Sequence, residues 1–593
     1  MGHVRGKQNG TTKIPVQYQT GKKIGQTYMK TVPTYDRAPE QLDRGTVFSI
    51  LEPLFASPVI EKGGHDSIYD LCGVSKYLGF VPSPPYNCSK IGRWLLNENS
   101  RRGTWLKEII EDTYGVVYDE ENIGKCVEDF EFDKVAYYSY CDAKWDFLIM
   151  QDTLAKIATE GLRSVYELEM NVLNTLIGMR LTGVKIDVPK IEELREQLKE
   201  DLVKAEAKIY SVAGRKFNVN SPQQKSEILF KPKSAGGQGL KPWKLTKVGK
   251  DRKELGLSLE YKHYSTDDEV LSSYPQNEIC SSLREYGDID KVLGTYVESW
   301  LGKDDEVPKI VDQRIYAGFL QYGTVTGRFS CRAPNLQNLP RSSSTLGKAV
   351  RDCFIAESGG KLIVADYSQI ELVILAHYIG EGKLYEAFQM GIDPHTMTAA
   401  MVLGKDPADV TKIERQDLGK TLGFAVVYGA GLGKVSSMAK ISLDEAKRVL
   451  KTHEKMFPEI HQFKADVISL ADSRQPVPYI RTLLNRKRRV PELNSSVVKV
   501  RMGAERQVFN SLIQGGAADI IKLAMVRLDA SLPNEAKLVL TVHDELAVTS
   551  PNNMMDETMK IMDNAMRGPG IQKFVRVPLK IDMHAGHSWG EVK

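Results

Sequence analysis

The chain has 593 residues, 42% of them hydrophobic and 26% charged, and no apolar run approaches the roughly 18 residues that a membrane span needs. That excludes an integral helical membrane protein and a disordered chain. Its 80 Lys and Arg stand against 76 Asp and Glu, a net charge of +4, so any surface for a polyanion has to be local. The seven cysteines show no paired metal-ligand spacing, and their odd number argues against a disulfide scaffold. With no apolar leader segment either, a protein of the reducing cytoplasm is expected.

Residues 1–45 are rich in Gly, Gln, Thr and Lys, with no acidic residue before Asp36, and are expected to form a flexible or peripheral extension. From Thr46 to Leu154 short apolar stretches such as Phe48–Phe55 alternate with helical ones such as Asp142–Ala155, which predicts a mixed α/β unit. Between Val165 and Ala213 the residues Ile191, Leu194, Leu198, Leu202 and Ala205 recur at three and four, so long amphipathic helices are expected. Lys231–Gly239 and the charged Lys247–Glu254 read as loops, and helical periodicity returns at Leu283, Ile289, Val292 and Tyr296. Strands and helices mix from about Ile315, and there is no internal repeat.

Two segments of this last region carry carboxylates where the pattern is otherwise apolar. Lys361–Asp366 is an apolar run ending in Asp366, followed by a helical pattern at Ile370, Ile374 and His377. This puts Asp366 at the C-terminal tip of a buried strand, although an Asp between strand and helix is often only an N-cap. Leu538–Val542 and Glu545–Val548 read as two short strands, with His543 and Asp544 at the bend. A solvated hairpin tip is the plainer reading of that turn. Brought together, Asp366 and Asp544 suit paired Mg²⁺ ions about 3.5 to 4 Å apart, an arrangement that stabilises the attacking and leaving oxygens of a phosphoryl transfer. Elsewhere Gln416, Lys420, Phe424 and Tyr428 recur every fourth residue through a helix, a stripe of about 18 Å that presents an ammonium and two rings on one face. Core packing with a snorkelling Lys is the commoner cause of such stripes.

Asp366-Tyr-Ser-Gln-Ile-Glu371, Lys420-x3-Phe424-x3-Tyr428-Gly429 and Val542-His-Asp-Glu545 resemble, in order, motifs A, B and C of family A DNA polymerases, the bacterial polymerase I type and its phage relatives. Thr326-Gly-Arg-Phe-Ser330, Pro334–Pro340, Asp393-Pro-His395 and Arg506-x3-Asn510-x3-Gln514 agree, and the resemblance runs from about Thr46 to the C-terminus. It implies an α/β and α fold, a right hand of palm, fingers and thumb, preceded by an incomplete RNase H-like 3′-5′ exonuclease-type domain. The implied segments are 46–160 for that domain, 161–314 for the thumb and connecting helices, 315–390 and 491–593 for the palm and 391–490 for the fingers.

The same resemblance implies a template-directed polymerase that adds deoxynucleotides to a primer 3′-hydroxyl. Asp366 and Asp544 would hold two Mg²⁺ ions, replaceable by Mn²⁺, with Glu545 beside them. Lys420 and His395 would meet the triphosphate, Phe424 would pack on the incoming base and sugar, and Glu371 with Tyr428 would close the space beside the 2′ position. Arg328, Asn335, Gln337, Arg506, Asn510, Gln514 and His543 match positions that contact primer–template DNA, largely in the minor groove, whose acceptors look alike for every correct pair. The expected partners are primer–template, deoxynucleoside triphosphates and other replication proteins, for a monomer in the cytoplasm, that of an infected host for a phage chain.

Two departures from the family pattern stand out. The Arg expected four residues before Lys420 is at Arg415, five before it, and Gln416 takes its place, so either a local bulge returns Arg415 to the face or other cations serve. The group Arg481, Arg486, Lys487, Arg488 and Arg489 is the next source of phosphate contacts, against the plainer reading of a solvated charge run. In the first domain Asp66, Asp70, Tyr138 and Asp142 match remnants of exonuclease motifs, but no Asp-x-Glu strand precedes Asp66. Asp119-Glu-Glu121 and Asp129-Phe-Glu131 come later and read as surface, so an inactive exonuclease is expected. A single-subunit RNA polymerase shares the palm but not the intact Glu371 segment, and a non-enzymatic accessory protein would have lost its aspartates.

Overall fold

The computed structural model describes residues 5–17, 27–37, 42–100, 104–119, 123, 127, 130–302, 307–439 and 441–592, without the side chains of residues 5–17, 27–37, Asp417 and Phe424. It falls into two compact units, one of Met1–Gly183, Tyr316–Gln337 and Ala356–Gly586, the other of Val184–Ile315, Asn338–Ile355 and His587–Lys593.

The first unit is organised on a four-stranded antiparallel sheet ordered Lys537–Val542, Glu545–Pro551, Gly360–Tyr367, Ile581–Gly586. Leu362 to Ala365 are all buried in the central strand, so the run is apolar without alternation because both of its faces are covered. One cover is the helix Met555–Arg567; the long helix Val498–Ser531 packs on that helix and on Ile370–Ile379. Helix-to-helix approach there depends on a missing side chain, since a Cβ on Gly516 would lie 2.8 Å from Ile374. A second set of helices, including Pro394–Leu403, Thr421–Val427, Leu432–Ala439 and Leu443–Met456, packs around Leu422, Val426, Val435, Ala446 and Val449. Ser442 and Glu445 start the last of these with a capping box.

The region 46–160 is more helical than its sequence suggests. Phe48–Phe55 lies inside the helix Arg44–Ala56, capped by Asp43, whose carboxylate accepts from Thr46 N at 3.1 Å. Only two short parallel strands, Lys62–Gly64 and Tyr86–Cys88, occur among its described residues, with the helix Phe132–Thr159 beside the first of them. An apolar run of eight residues fits a helix as well as a strand, and the cap decides for the helix. Residues Arg5–Gln17 and Thr27–Arg37, within the extension expected to be flexible or peripheral, pair as two antiparallel strands.

The second unit contains the helices Val188–Ala213 and Glu278–Lys291 packed together, the latter running into a π-helical stretch at Val292–Glu298. Trp300, Phe354 and Trp589 form an edge-to-face chain with ring centroids 5.5 Å apart at both steps. Lys247–Glu254 is a helix and not a loop: Thr246 caps it by accepting from Gly249 N at 3.1 Å, and its charged surface hid the pattern. The helix Arg163–Thr182 packs on Val498–Ser531 in the first unit, and the second unit begins after Gly183. The described cysteines are all buried free thiols.

Candidate active site

The sheet brings the predicted carboxylates together. Asp366 lies one residue from the end of its strand and is paired in register with Glu545, while Tyr367 N donates to the Asp544 carbonyl oxygen at 3.2 Å. His543 and Asp544 form the two-residue turn closing the Val542–Glu545 pair, and His543 adopts a positive φ of 56°. Glu545 is buried at 3% exposure, whereas Asp366 and Asp544 are half-buried. The cap of the helix after Asp366 is Gln369, so the aspartate is not used as a helix N-cap. Among the described residues no three His, Cys, Asp or Glu side chains converge to cage an ion. Two half-buried hard carboxylates still fit Mg²⁺, which is commonly held by one or two carboxylates together with substrate phosphates.

Beside this edge Glu371 links two other predicted residues. Arg328 Nη2 donates to Glu371 Oε1, Tyr428 OH donates to Glu371 Oε2, and Arg328 Nη2 lies 3.9 Å from Asp544 Oδ1. Burial pushes the Glu371 carboxyl up, the nearby charge of Asp544 adds to this, and Arg328 opposes it. Arg506, Asn510 and Gln514 follow at four-residue steps along the helix Val498–Ser531 and therefore share one face. Arg506 borders Gly429, where a Cβ would lie 3.6 Å from Arg506 Cδ. Asn335 caps the local turn by accepting from Gln337 N at 3.0 Å.

The spacing departure has a local structural answer. Arg415–Lys420 is a π-helix between Lys412–Glu414 and Thr421–Val427. A π turn closes i to i+5, the spacing of Arg415 and Lys420 at its two ends. Its Nε donates to Asp393, an aspartate that also accepts from His395 N at 3.2 Å, from Thr396 Oγ1 at 2.7 Å and from Gln369 Nε2 at 2.8 Å. Lys420 and Gln416 are exposed, and the Phe424 side chain lies outside the described residues. His395 differs from expectation. It is 1% exposed, beneath Gly419 and among Thr398, Gly423, His453 and Phe457, and burial pulls its imidazole down to about 4. A ring so placed is neutral at physiological pH and is not presented to a solvent-borne phosphate.

The basic cluster is not a phosphate patch either. Arg488 Nη1 lies 3.3 Å from Glu98 Oε1, Arg489 Nη1 2.9 Å from Glu98 Oε2, and Lys487 and Arg489 lie 2.7 and 2.9 Å from Glu160 Oε2. Arg481 Nη2 donates to the Glu160 carbonyl at 2.8 Å, and Arg486 is buried against Glu169 and Asp519. Arg481, Lys487, Arg488 and Arg489 thus join the hairpin Tyr479–Arg481/Lys487–Arg489 to the region 46–160, and nothing local in the sequence reports partners more than 300 residues away.

Two of the exonuclease remnants, Asp66 and Asp142, are held by protein groups. Asp66 accepts from Lys90 Nζ at 3.0 Å and from Tyr322 OH at 3.1 Å, and the Lys90 ammonium lies 4.7 Å from the Tyr322 ring centroid. Asp142 accepts from Tyr118, whose ring lies 6.2 Å from that of Tyr138, while Asp70 is exposed. Asp146, one turn after Asp142, accepts from Ser89 Oγ at 2.6 Å and was not anticipated. Asp119 is not the solvated residue expected: its side chain is 3% exposed and paired with Lys107. Glu120, Glu121 and Asp129 lie outside the described residues.

Sheet, carboxylate edge and fingers helix together have the architecture of a right-hand polymerase. DNA polymerase family A matches residues 188–591, and the chain belongs to that family. It is 35% identical over 436 residues to DNA polymerase I of Geobacillus stearothermophilus, covering 73% of this chain and 46% of that protein. With DNA polymerase I of Chloroflexus aurantiacus it shares 29% identity over 584 residues, 95% of this chain and 58% of that one. The chain thus spans about half the length of the curated relatives it matches. Among solved structures it is similar to the POL domain of Pol1 from M. smegmatis in complex with DNA primer-template and dNTP, with a TM-score of 0.78, 26% identity and coverage of 95% of this chain and 91% of that one. Among the described residues no helix is long and apolar enough to cross a membrane.

Proposed function

We propose that the chain is a DNA-directed DNA polymerase that extends a primer 3′-hydroxyl with deoxynucleoside triphosphates. The observation that carries this reading is the register that sets Asp366 opposite Glu545, with Asp544 at the adjoining turn, in a chain of family A. Asp366 and Asp544 would hold Mg²⁺, or Mn²⁺ in its place, which when bound supplies charge stabilisation to a transferring phosphoryl group. Lys420 offers an ammonium to the triphosphate, with Arg415 as a second cation, a reading supported by the π turn that spans the two residues. Glu371, held by Arg328 and Tyr428, fills the space beside the sugar 2′ position. The face of Arg506, Asn510 and Gln514, with Asn335, Gln337 and His543, takes the primer–template, the class of ligand bound by the M. smegmatis domain. The chain acts as a monomer among other replication proteins, and it lacks its own proofreading because Lys90 pairs with Asp66, which also accepts from Tyr322, and Tyr118 holds Asp142.

Primer extension by the Asp366→Ala and Asp544→Ala variants tests the reading. Both are expected to lose incorporation while keeping primer–template affinity, since duplex binding rests on phosphate and groove contacts made elsewhere. Either variant retaining a substantial share of wild-type turnover in Mg²⁺ would refute the assignment.

A further inference from the structure

The helix Val498–Ser531 carries two charges in its most apolar stretch, Asp519 and Lys522, one turn apart and both fully buried. Two more buried charges meet them from distant parts of the chain: Glu169 of the helix Arg163–Thr182, and Arg486 of the hairpin loop. Lys522 Nζ and Arg486 Nη2 each lie 2.6 Å from Glu169 Oε1, and Arg486 Nε lies 3.0 Å from Asp519 Oδ1. The remaining acceptors are also used, with Gln321 Nε2 donating to Glu169 and with Thr482 Oγ1 and Leu484 N donating to Asp519. The cluster is neutral as a whole, two anions with two cations. Such a cluster is weak evidence for added stability, because well-packed apolar residues of similar volume often do as well or better.

What the cluster touches gives it a use. Gly327 and Phe329, the neighbours of Arg328 on either side, each rest on one of the two buried cations. A Cβ on Gly327 would lie 2.6 Å from Arg486 Nε, and its φ of +88° is one that side chains rarely adopt. The Phe329 ring is capped by Lys522 Nζ at 4.9 Å from its centroid. Between them Arg328 reaches the other way, to Glu371 and toward Asp544. A small cavity between the helix and the strand turn is lined by Gly327, Arg328, Phe329, Ala518, Ile521 and Asp544, among others, and Ala518 and Ile521 are the chain neighbours of Asp519 and Lys522.

We propose that Arg486 and Lys522 are positioning residues, and that the buried cluster with Glu169 and Asp519 sets the backbone of Gly327–Phe329 and so the approach of Arg328 to Glu371 and Asp544. The inference rests on the polymerase reading above, in which Arg328 meets the primer–template. It accounts for the glycine at 327, for an aromatic ring at 329, and for two opposite charges buried in the most apolar stretch of the helix.

The test is a double-mutant cycle read by single-turnover extension from matched and 3′-mismatched primers, with the deoxynucleotide KM measured alongside. Lys522→Met is expected to slow extension roughly tenfold with KM little changed, and Lys522→Met combined with Arg328→Ala is expected to be no slower than Arg328→Ala alone, since residues acting through one another are not additive. Should Lys522→Met fail to fold, as judged by its melting transition, Gly327→Ala keeps all four charges and enters the same cycle with the same expectation. Losses that multiply in the double variant, or an Arg328→Ala enzyme that extends both primers like wild type, overturn the positioning role and leave the polymerase reading standing. A wild-type chain that extends no primer overturns both.

Discussion

Asp393 shows how one side chain can be held by its surroundings and in turn hold the site. Its burial favours the neutral acid, but hydrogen bonds from Arg415, Thr396 and Gln369 outweigh that and bring the carboxyl down to about 2 from an ordinary 3.8. A carboxyl lowered on folding contributes stability that is fully present above its ordinary value and is lost as the pH falls through the folded one, here between about 4 and 2. Arg415→Ala is therefore expected to move acid unfolding, followed by circular dichroism, to higher pH. The same variant should weaken nucleotide use in steady-state extension, with a charge-assisted hydrogen bond of roughly 1.5 to 3 kcal/mol at stake. Gln416→Ala, an exposed residue off that face, should match wild type in both assays; equal behaviour of the two variants would place the missing positive charge elsewhere.

At the scale of elements, the hairpin Tyr479–Arg481/Lys487–Arg489 shows why a run of basic residues need not face a polyanion. Glu98 is buried at 3% exposure between Arg488 and Arg489, while Glu160, pairing with Lys487 and Arg489, is a third exposed. Removing one member of a buried ion pair leaves its partner uncompensated, at a cost of about 3 to 5 kcal/mol, whereas an exposed pair contributes about 0 to 1 kcal/mol. Glu98→Ala should therefore lower the melting temperature clearly more than Glu160→Ala. A smaller effect at Glu98 would mean that Asn99, whose Oδ1 accepts from Arg488 at 2.6 Å, is the anchor of the hairpin.

For the molecule as a whole, the region 46–160 belongs to the same compact unit as the sheet that carries Asp366 and Asp544. Asp66 and Asp142 are held by protein groups, and the Lys90 ammonium on Asp66 stands where a hydrolytic site would need a cation of its own. Purified protein incubated with a 3′-mismatched primer and Mg²⁺ or Mn²⁺, without nucleotides, is expected to leave the primer intact. Steady shortening that Asp142→Ala abolishes would show instead that the site works.

The sequence by itself determined the features that depend on neighbours in the chain. An apolar run ending in Asp366, a two-residue turn at His543 and Asp544, and four-residue steps through Arg506, Asn510 and Gln514 express strand, turn and helix periods, which short stretches encode. The family, too, was legible in the ordered motifs. Tertiary structure decided whatever depends on partners far along the chain: the burial of His395 and the pairing of Arg486 to Arg489 with Glu169, Asp519, Glu98 and Glu160. The one-residue slip at Arg415 lies between the two. Its spacing was visible, but the π turn over Arg415–Lys420 and the hydrogen bond of Arg415 to Asp393 were not. The physical reason is the same throughout: a period is a property of the local backbone, whereas the state of a charge or a ring depends on what the fold sets against it.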